Sequence, residues 1–303
     1  MTSKPIEFDV VIAVPRKLLR RLKMLLRSWS GTLYRVFKQS ANDRVTTAAA
    51  SLAFHWFLAV FPGIIAILGA AGLVGLSHQD IEHLDHTLEV LLPSAASSVI
   101  VRALESPPPS SDSIFAVVGG SVVALWSMIE AMASLQVGLD VAYGIHGDRG
   151  FVRRRINSIP LVALTLALGG AGFALLVLGT PVEQLIRGSF PMGSFFVVLW
   201  TVLRWIVGLS LISILFSAYY TLGPQREHWH WDWISPGGVL ATAGWVFASL
   251  IYSYYLNDLG HSSLTYGAFA GVAVLIIWLF LAGLAVLLGA ELNRELLRQT
   301  ITS

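Results

Sequence analysis

Residues 265–293 read TYGAFAGVAVLIIWLFLAGLAVLLGAELN, and no charged residue occurs between Gly267 and Ala290. At about 1.5 Å of rise per residue, a helix of this length crosses a hydrocarbon core about 30 Å thick. A helix in the core of a soluble protein has no reason to be apolar on every face over such a distance. The stretch therefore predicts a membrane span, and the rest of the chain has to be interpreted with lipid as a solvent.

The composition of the whole chain agrees with several spans. Of its 303 residues, 13% are charged and 55% are apolar, whereas soluble domains have about 25% and 45–50%. The chain has no cysteine, which excludes disulfides and thiolate-bound metals. It also lacks a Walker loop, a nucleophile elbow and a His-Glu-x-x-His pair, so we expect no cofactor, no metal ion and no enzymatic activity.

The alternation of apolar and polar stretches predicts an all-α fold, a bundle of six transmembrane helices. Residues 1–45 form a basic amphipathic arm before the membrane domain (46–295), and a cytoplasmic tail (296–303) follows it. Residues 77–113 are expected to form a helical periplasmic loop, and residues 144–156 an arginine-rich loop that leaves Pro160 in the first turn of the third span. The six predicted spans cover about residues 48–76, 114–143, 157–179, 194–222, 235–256 and 265–292.

The positive charges predict the orientation of the chain. With the N-terminus inside, seventeen of the twenty lysines and arginines fall in cytoplasmic segments, and only Arg102 and Arg187 fall in external loops. Such a bias places both termini in the cytoplasm. The arm interleaves leucines with cations, so we expect it to bind the anionic inner leaflet. A nucleic-acid surface could use the same charges, but the spans that follow the arm directly favour lipid.

An ordered set of short motifs extends over roughly residues 45 to 295. Its residues are Pro62, Trp126, Pro224, Pro236, Gly237, Tyr266, Gly267, Trp278, Gly289, Glu291 and Asn293. The set resembles the YihY/BrkB family of bacterial inner-membrane proteins, and the resemblance implies an inner-membrane protein with six spans. The older family name, ribonuclease BN, is widely regarded as a misassignment, and the family has no established biochemical activity.

Five polar residues within or near the predicted spans form a candidate intramembrane cavity: His55, Glu130, Gln136, Asp140 and Arg204. Charges in lipid are costly and usually face a partner or a water-filled space. One interpretation is a structural pair of Glu130 with Arg204, although their depths differ by about 10 Å. The other is a polar cavity that handles a substrate.

Two classes of function follow from these interpretations. The first is a transporter or a lipid- or envelope-handling protein, and the second is a non-transporting membrane scaffold or an envelope-integrity or virulence factor. Ribonuclease activity is disfavoured, because the histidines are divided between opposite sides of the membrane and cannot assemble one metal or acid–base site. Gly267 and Gly271 are four residues apart and allow close helix approach, either within one chain or in a homo-oligomer.

Overall fold

All regular elements that the structure describes are helical, which confirms the all-α prediction. A computed structural model describes residues 31–32, 34–41, 43–74, 110–145, 147, 149–176, 194–225, 233–259 and 264–302. Most of the predicted periplasmic loop and most of the basic arm therefore lie outside the described residues, and the described end of that loop, 110–113, is helical and belongs to the helix Ser110–Ala142. The helices are α1 (34–41), α2 (Val45–Val74), α3 (Ser110–Ala142), α4 (Phe151–Leu176), α5 (Ser194–Leu222), α6 (Pro236–Leu259) and α7 (Leu264–Thr302).

Five of these helices are long and apolar enough to cross a membrane. α2 carries no charged residue over its thirty residues, and the part of it whose side chains are described, Val45–Val60, forms a shorter apolar helix. Large apolar side chains lie exposed on the helix surfaces: Phe115 is 76% exposed and Phe195 is 80% exposed. A surface of this kind is suited to lipid and not to water. The five candidate spans are Val118–Ala142, Phe151–Leu176, Phe195–Leu222, Pro236–Tyr254 and Val272–Gln299.

The start of α4 differs from the sequence prediction. The helix begins at Phe151, six residues before the predicted third span, so the arginine-rich stretch 153–155 is helical and Pro160 lies within the helix. The predicted loop was wrong at this point because glycines with positive φ, Gly144 (67°) and Gly150 (70°), close the turn early. Long arginine side chains can reach polar partners from inside a helix, so their charge does not require a loop.

Among the residues whose burial the structure describes, the core lies in the halves of the helices that adjoin the turn between α3 and α4. α2 packs on α3 and α7, α6 packs on α5 and α7, and α4 joins α3 to α5. These halves are the ends that the charge distribution assigns to the cytoplasm. The largest fully buried apolar side chains are Leu52, Leu135, Leu139, Leu161 and Leu287.

A close joint connects α6 to α7 and uses several of the motif residues. A Cβ atom on Gly289 would lie 2.4 Å from the carbonyl oxygen of Gly237, and one on Gly237 would lie 2.1 Å from that of Gly289. Asn293 locks the joint: its Oδ1 accepts from the Gly237 backbone N–H (2.8 Å), and its Nδ2 donates to the Ser235 hydroxyl (3.1 Å). The motif glycines therefore allow two backbones to touch.

Other motif residues have separate positions. Trp278 on α7 donates its indole N–H to the Ser249 hydroxyl on α6 (3.1 Å), which extends the same joint along the two helices. Pro224 is buried just after α5, and Pro62 lies within α2. Tyr266 and Gly267 lie in the first turn of α7.

Candidate functional site

The turn between α3 and α4 carries a buried arginine. The guanidinium of Arg149 donates to Gln136 Oε1 (2.6 Å), to Asp140 Oδ1 (3.2 Å) and to the Gly223 carbonyl (2.7 Å). The same Asp140 oxygen accepts the backbone N–H of Gln225 (2.9 Å). Burial lowers the pKa of Arg149, while the charge of Asp140 opposes that shift. This buried network fastens the turn to α3 and to the end of α5.

Gln136 extends the network into α4. Its Nε2 donates to the Ser158 hydroxyl (2.7 Å) and to the Arg154 carbonyl (3.3 Å). Gln136 and Ser158 are both fully buried, so their polar atoms need such partners. Gln136 and Asp140, both candidates from the sequence, thus lie together in a closed network whose contacts hold helices in place.

Glu130 belongs to a second acid–arginine pair, which lies farther from the turn. Arg155 grips its carboxylate with two bonds, from Nε to Oε1 (2.6 Å) and from Nη2 to Oε2 (2.7 Å). The guanidinium carbon lies 3.2 Å from the ring centroid of Phe151 and 6.0 Å from that of Trp126. Such a bidentate, aromatic-backed geometry is the arrangement in which arginine recognises carboxylates and phosphates.

This second pair lines a cavity between α2, α3 and α4, which we call the polar groove. Its volume is about 390 Å³, and its apolar lining is Ala133, Val137 and Phe151. Glu130 lies twelve residues before the end of α3 and His55 ten residues after the start of α2, about 15–18 Å along the helices from those ends. The groove is therefore polar well inside the apolar helices. Its polar lining is Ser51, His55, Glu130, Ser134, Arg154 and Arg155.

His55 directs one ring nitrogen at the backbone of its own helix. Its Nδ1 lies 2.8 Å from the Ser51 carbonyl oxygen, which can only accept, so Nδ1 carries a proton. This leaves Nε2 as the remaining polar atom of the ring. The hydroxyl oxygens of Ser51 and Ser134 lie 3.5 Å apart and connect α2 to α3. The groove thus offers hydroxyl, imidazole and guanidinium groups in one space.

Arg204 is not among the residues that line the polar groove. It lies on α5, which packs on α4 and α6, whereas α3 packs chiefly on α2 and α4. The carboxylate of Glu130 is bound by Arg155, so the suggested pair of Glu130 with Arg204 was wrong. The sequence predicted Arg155 in the loop 144–156, outside the spans, and therefore did not indicate it as the partner of Glu130. The sequence feature that could have indicated this partner is the group of arginines that follows the span containing the acid.

A third polar cluster ties the end of α7 to the start of the described chain. Arg294 donates to Asp43 Oδ2 (2.9 Å) and to the Ala142 carbonyl (3.0 Å), and Arg35 binds Glu295 (2.5 Å). Glu291, a motif residue, is 1% exposed, and its Oε2 lies 3.8 Å from Arg294 Nη1. α7 therefore continues past the predicted end of its span and holds α1 and α3 together.

These features define a polytopic α-helical membrane protein. Its helices are long enough to span a membrane, its charged groups lie between them, and apolar side chains cover its surface. The family described as "Virulence factor BrkB" matches residues 36–302, and the chain belongs to this family. The motif resemblance is thereby confirmed.

Two UPF0761 relatives carry names that agree with that class. YfkH of Bacillus subtilis (strain 168), named as ribonuclease-like, is 29% identical over 86% of this chain and 93% of its own length. A UPF0761 membrane protein of Vibrio parahaemolyticus is 25% identical over 91% of this chain and 85% of its own length. Another, from Methylibium petroleiphilum, is 24% identical over 86% of this chain, and the match spans 61% of its length. No solved structure matches the chain.

Proposed function

We propose that the chain is a transporter or lipid-handling protein of the bacterial inner membrane, and that the polar groove is the site where it handles its cargo. The observation that carries the proposal is the Glu130–Arg155 pair, which lines an open cavity of about 390 Å³ inside apolar helices. Glu130 lies midway along the candidate span Val118–Ala142, and a charged residue at the centre of a span costs about 2.5–3.5 kcal/mol on insertion scales and usually serves a pathway or a ligand.

The proposal includes six spans with both termini in the cytoplasm. α2 is thirty residues long, contains no charged residue and is the first span in this proposal. The basic arm lies on the anionic inner leaflet and does not bind nucleic acid. The chain needs no cofactor and catalyses no reaction.

Reporter fusions test this topology. Fusions after Ser110 and Asn257 are expected to report a periplasmic position, and fusions after Gly147, Gln225 and the C-terminus a cytoplasmic one. The physical reason is the concentration of cations in the segments assigned to the cytoplasm. A cytoplasmic signal after Ser110 would contradict the six-span topology.

A single introduced thiol tests the polar groove as a pathway. The chain has no cysteine of its own, so Ser134→Cys provides a unique label in the groove. In inside-out membrane vesicles, a charged methanethiosulfonate reagent is expected to modify this thiol rapidly. In a bacterial strain that lacks its own homologue, unmodified Ser134→Cys is expected to restore envelope resistance to detergent, and modification is expected to abolish that rescue.

The matched control is Ser217→Cys, because Ser217 is 1% exposed and lies in the packed core. Its thiol is expected to resist the same reagent, and its rescue is expected to survive treatment. If the modified Ser134→Cys protein still rescues the strain fully, the polar groove is not a pathway. That result would favour the alternative function, a non-transporting scaffold, which the closely packed joint between α6 and α7 supports.

A further inference from the structure

We infer that the polar groove binds a phosphate-bearing ligand, with Arg155 as its anchoring cation and Glu130 as the internal carboxylate that the ligand's phosphate displaces. The inference rests on the proposed function, since it names the chemical class of ligand for the same site. The shared chemistry is a phosphate group, which a lipid headgroup or a small soluble phosphate could supply.

The hydrogen-bond geometry at Arg155 suits a phosphate as well as a carboxylate. Two parallel N–H···O bonds of 2.6 and 2.7 Å hold the Glu130 carboxylate. A phosphate offers two oxygens in the same relation, and arginine binds both groups in this forked manner. Phe151 covers one face of the guanidinium, with its ring centroid 3.2 Å from Cζ. The fork is therefore held ready for any anion of this shape that can replace Glu130.

The two acids of α3 that pair with arginines, Asp140 and Glu130, differ in how accessible their pairs are. The side chains of Arg149 and Asp140 are 3% and 8% exposed, and backbone groups of Gly223 and Gln225 complete their bonds. The side chains of Arg155 and Glu130 are 19% and 25% exposed, and both line the polar groove. The first pair is closed off from ligands, whereas the second can exchange its partner without unpacking the core.

The polar groove also holds the kinds of groups that bind a phosphate. Arg154 and Arg155 both line it, and Ser51 and Ser134 add hydroxyl groups. Arg155 lies four residues after the start of α4, about 6 Å along the helix. It is therefore close to the headgroup layer, where lipid phosphates lie, while Glu130 draws its guanidinium toward the interior.

The test is lipid binding by the full-length chain in neutral detergent, measured by native mass spectrometry with dioleoylphosphatidylglycerol as the probe. Arg155→Lys is expected to weaken binding about tenfold, because a charged forked contact is lost. Glu130→Gln is expected to strengthen binding about tenfold, because the competing carboxylate is removed. Arg153→Gln is the matched control, since Arg153 is exposed and does not line the groove, and it is expected to leave binding unchanged.

Two further probes separate the sources of phosphate. Dioleoylglycerol has the same chains without phosphate and is expected to give no saturable adduct. Glycerol 3-phosphate that displaces the lipid at similar concentrations would identify a soluble phosphate ligand, and failure to displace it would identify a lipid headgroup. Both results support a phosphate site.

Opposite shifts for Arg155→Lys and Glu130→Gln are the signature of displacement. Equal losses in both variants, or no change in either, would show a permanent structural pair and would overturn the inference. Thermal unfolding of each variant checks that it is folded. If Glu130→Gln does not fold, Arg154→Gln is measured in its place, and this variant is expected to bind the lipid more weakly. Suppose that lipid binding contradicts the phosphate site, while modification of Ser134→Cys still abolishes rescue. The transport proposal then stands, with a ligand of another class.

Discussion

Gly289→Ala is expected to destabilise the folded protein by about 3 kcal/mol or more. The added Cβ would lie 2.4 Å from the Gly237 carbonyl oxygen and 2.4 Å from the Tyr220 hydroxyl. That hydroxyl donates to the Val286 carbonyl (2.7 Å), so it cannot move without leaving a buried bond. Overpacking against mobile side chains costs about 1–3 kcal/mol, and here the obstacle includes backbone, so α6 and α7 must separate.

The measurement is thermal unfolding of the purified protein in mild detergent, beside the control Gly170→Ala. A Cβ on Gly170 would meet nothing within 4 Å, and alanine is the better helix former, so the control is expected to unfold at or above the wild-type temperature. Gly237→Ala is expected to repeat the loss, since it opposes the same contact from α6. Wild-type stability in both joint variants would show that the helices have room to shift.

Arg149→Met is expected to destabilise the fold by about 3–5 kcal/mol, the usual loss when one partner of a buried ion pair is removed. The substitution leaves the Asp140 carboxylate without its counter-ion and takes a donor from Gln136 and from the Gly223 carbonyl. The turn between α3 and α4 would then lose its anchor to α5. The matched control is Arg153→Met, because Arg153 is exposed, and its effect is expected to be small.

A double-mutant cycle identifies the cause of that loss. In Arg149→Met combined with Asp140→Asn, the uncompensated charge is gone, while the asparagine oxygen can still accept the Gln225 N–H. The double variant is therefore expected to be more stable than Arg149→Met alone, with a coupling energy of about 1–3 kcal/mol. Additive losses in the cycle would mean that the two side chains do not act as a pair.

The motif residues at the end of α7 illustrate why part of the site could be predicted from the sequence. Gly289, Glu291 and Asn293 were recognised by their order along the chain, and the joint and the third polar cluster explain their chemistry. The roles of Gly289 and Asn293 depend on contacts with residues more than fifty positions away, such as Gly237. Recognition of a pattern therefore indicated that these residues matter, and the packing of α6 on α7 supplied the reason.

The candidate cavity residues divide between two environments that residue type cannot separate. His55 and Glu130 line the polar groove, whereas Gln136 and Asp140 lie in the closed network around Arg149. Along α3, Glu130 lies about 1.7 helical turns from Gln136 and about 2.8 turns from Asp140. Which acid remains accessible depends on how backbone groups from the end of α5 approach Asp140, and no local pattern on α3 encodes that approach.

Hydropathy and charge were sufficient for the class of protein, because lipid imposes the same requirement on every span: apolar length with satisfied backbone bonds. They indicated helices, their approximate positions and the polar residues that needed an explanation. Which residue pairs with each charged side chain was determined only by the three-dimensional arrangement of the helices. Two glycines with positive φ brought α4 forward to Phe151, and that change placed Arg155, not Arg204, against Glu130, since pairing depends on which helices become neighbours.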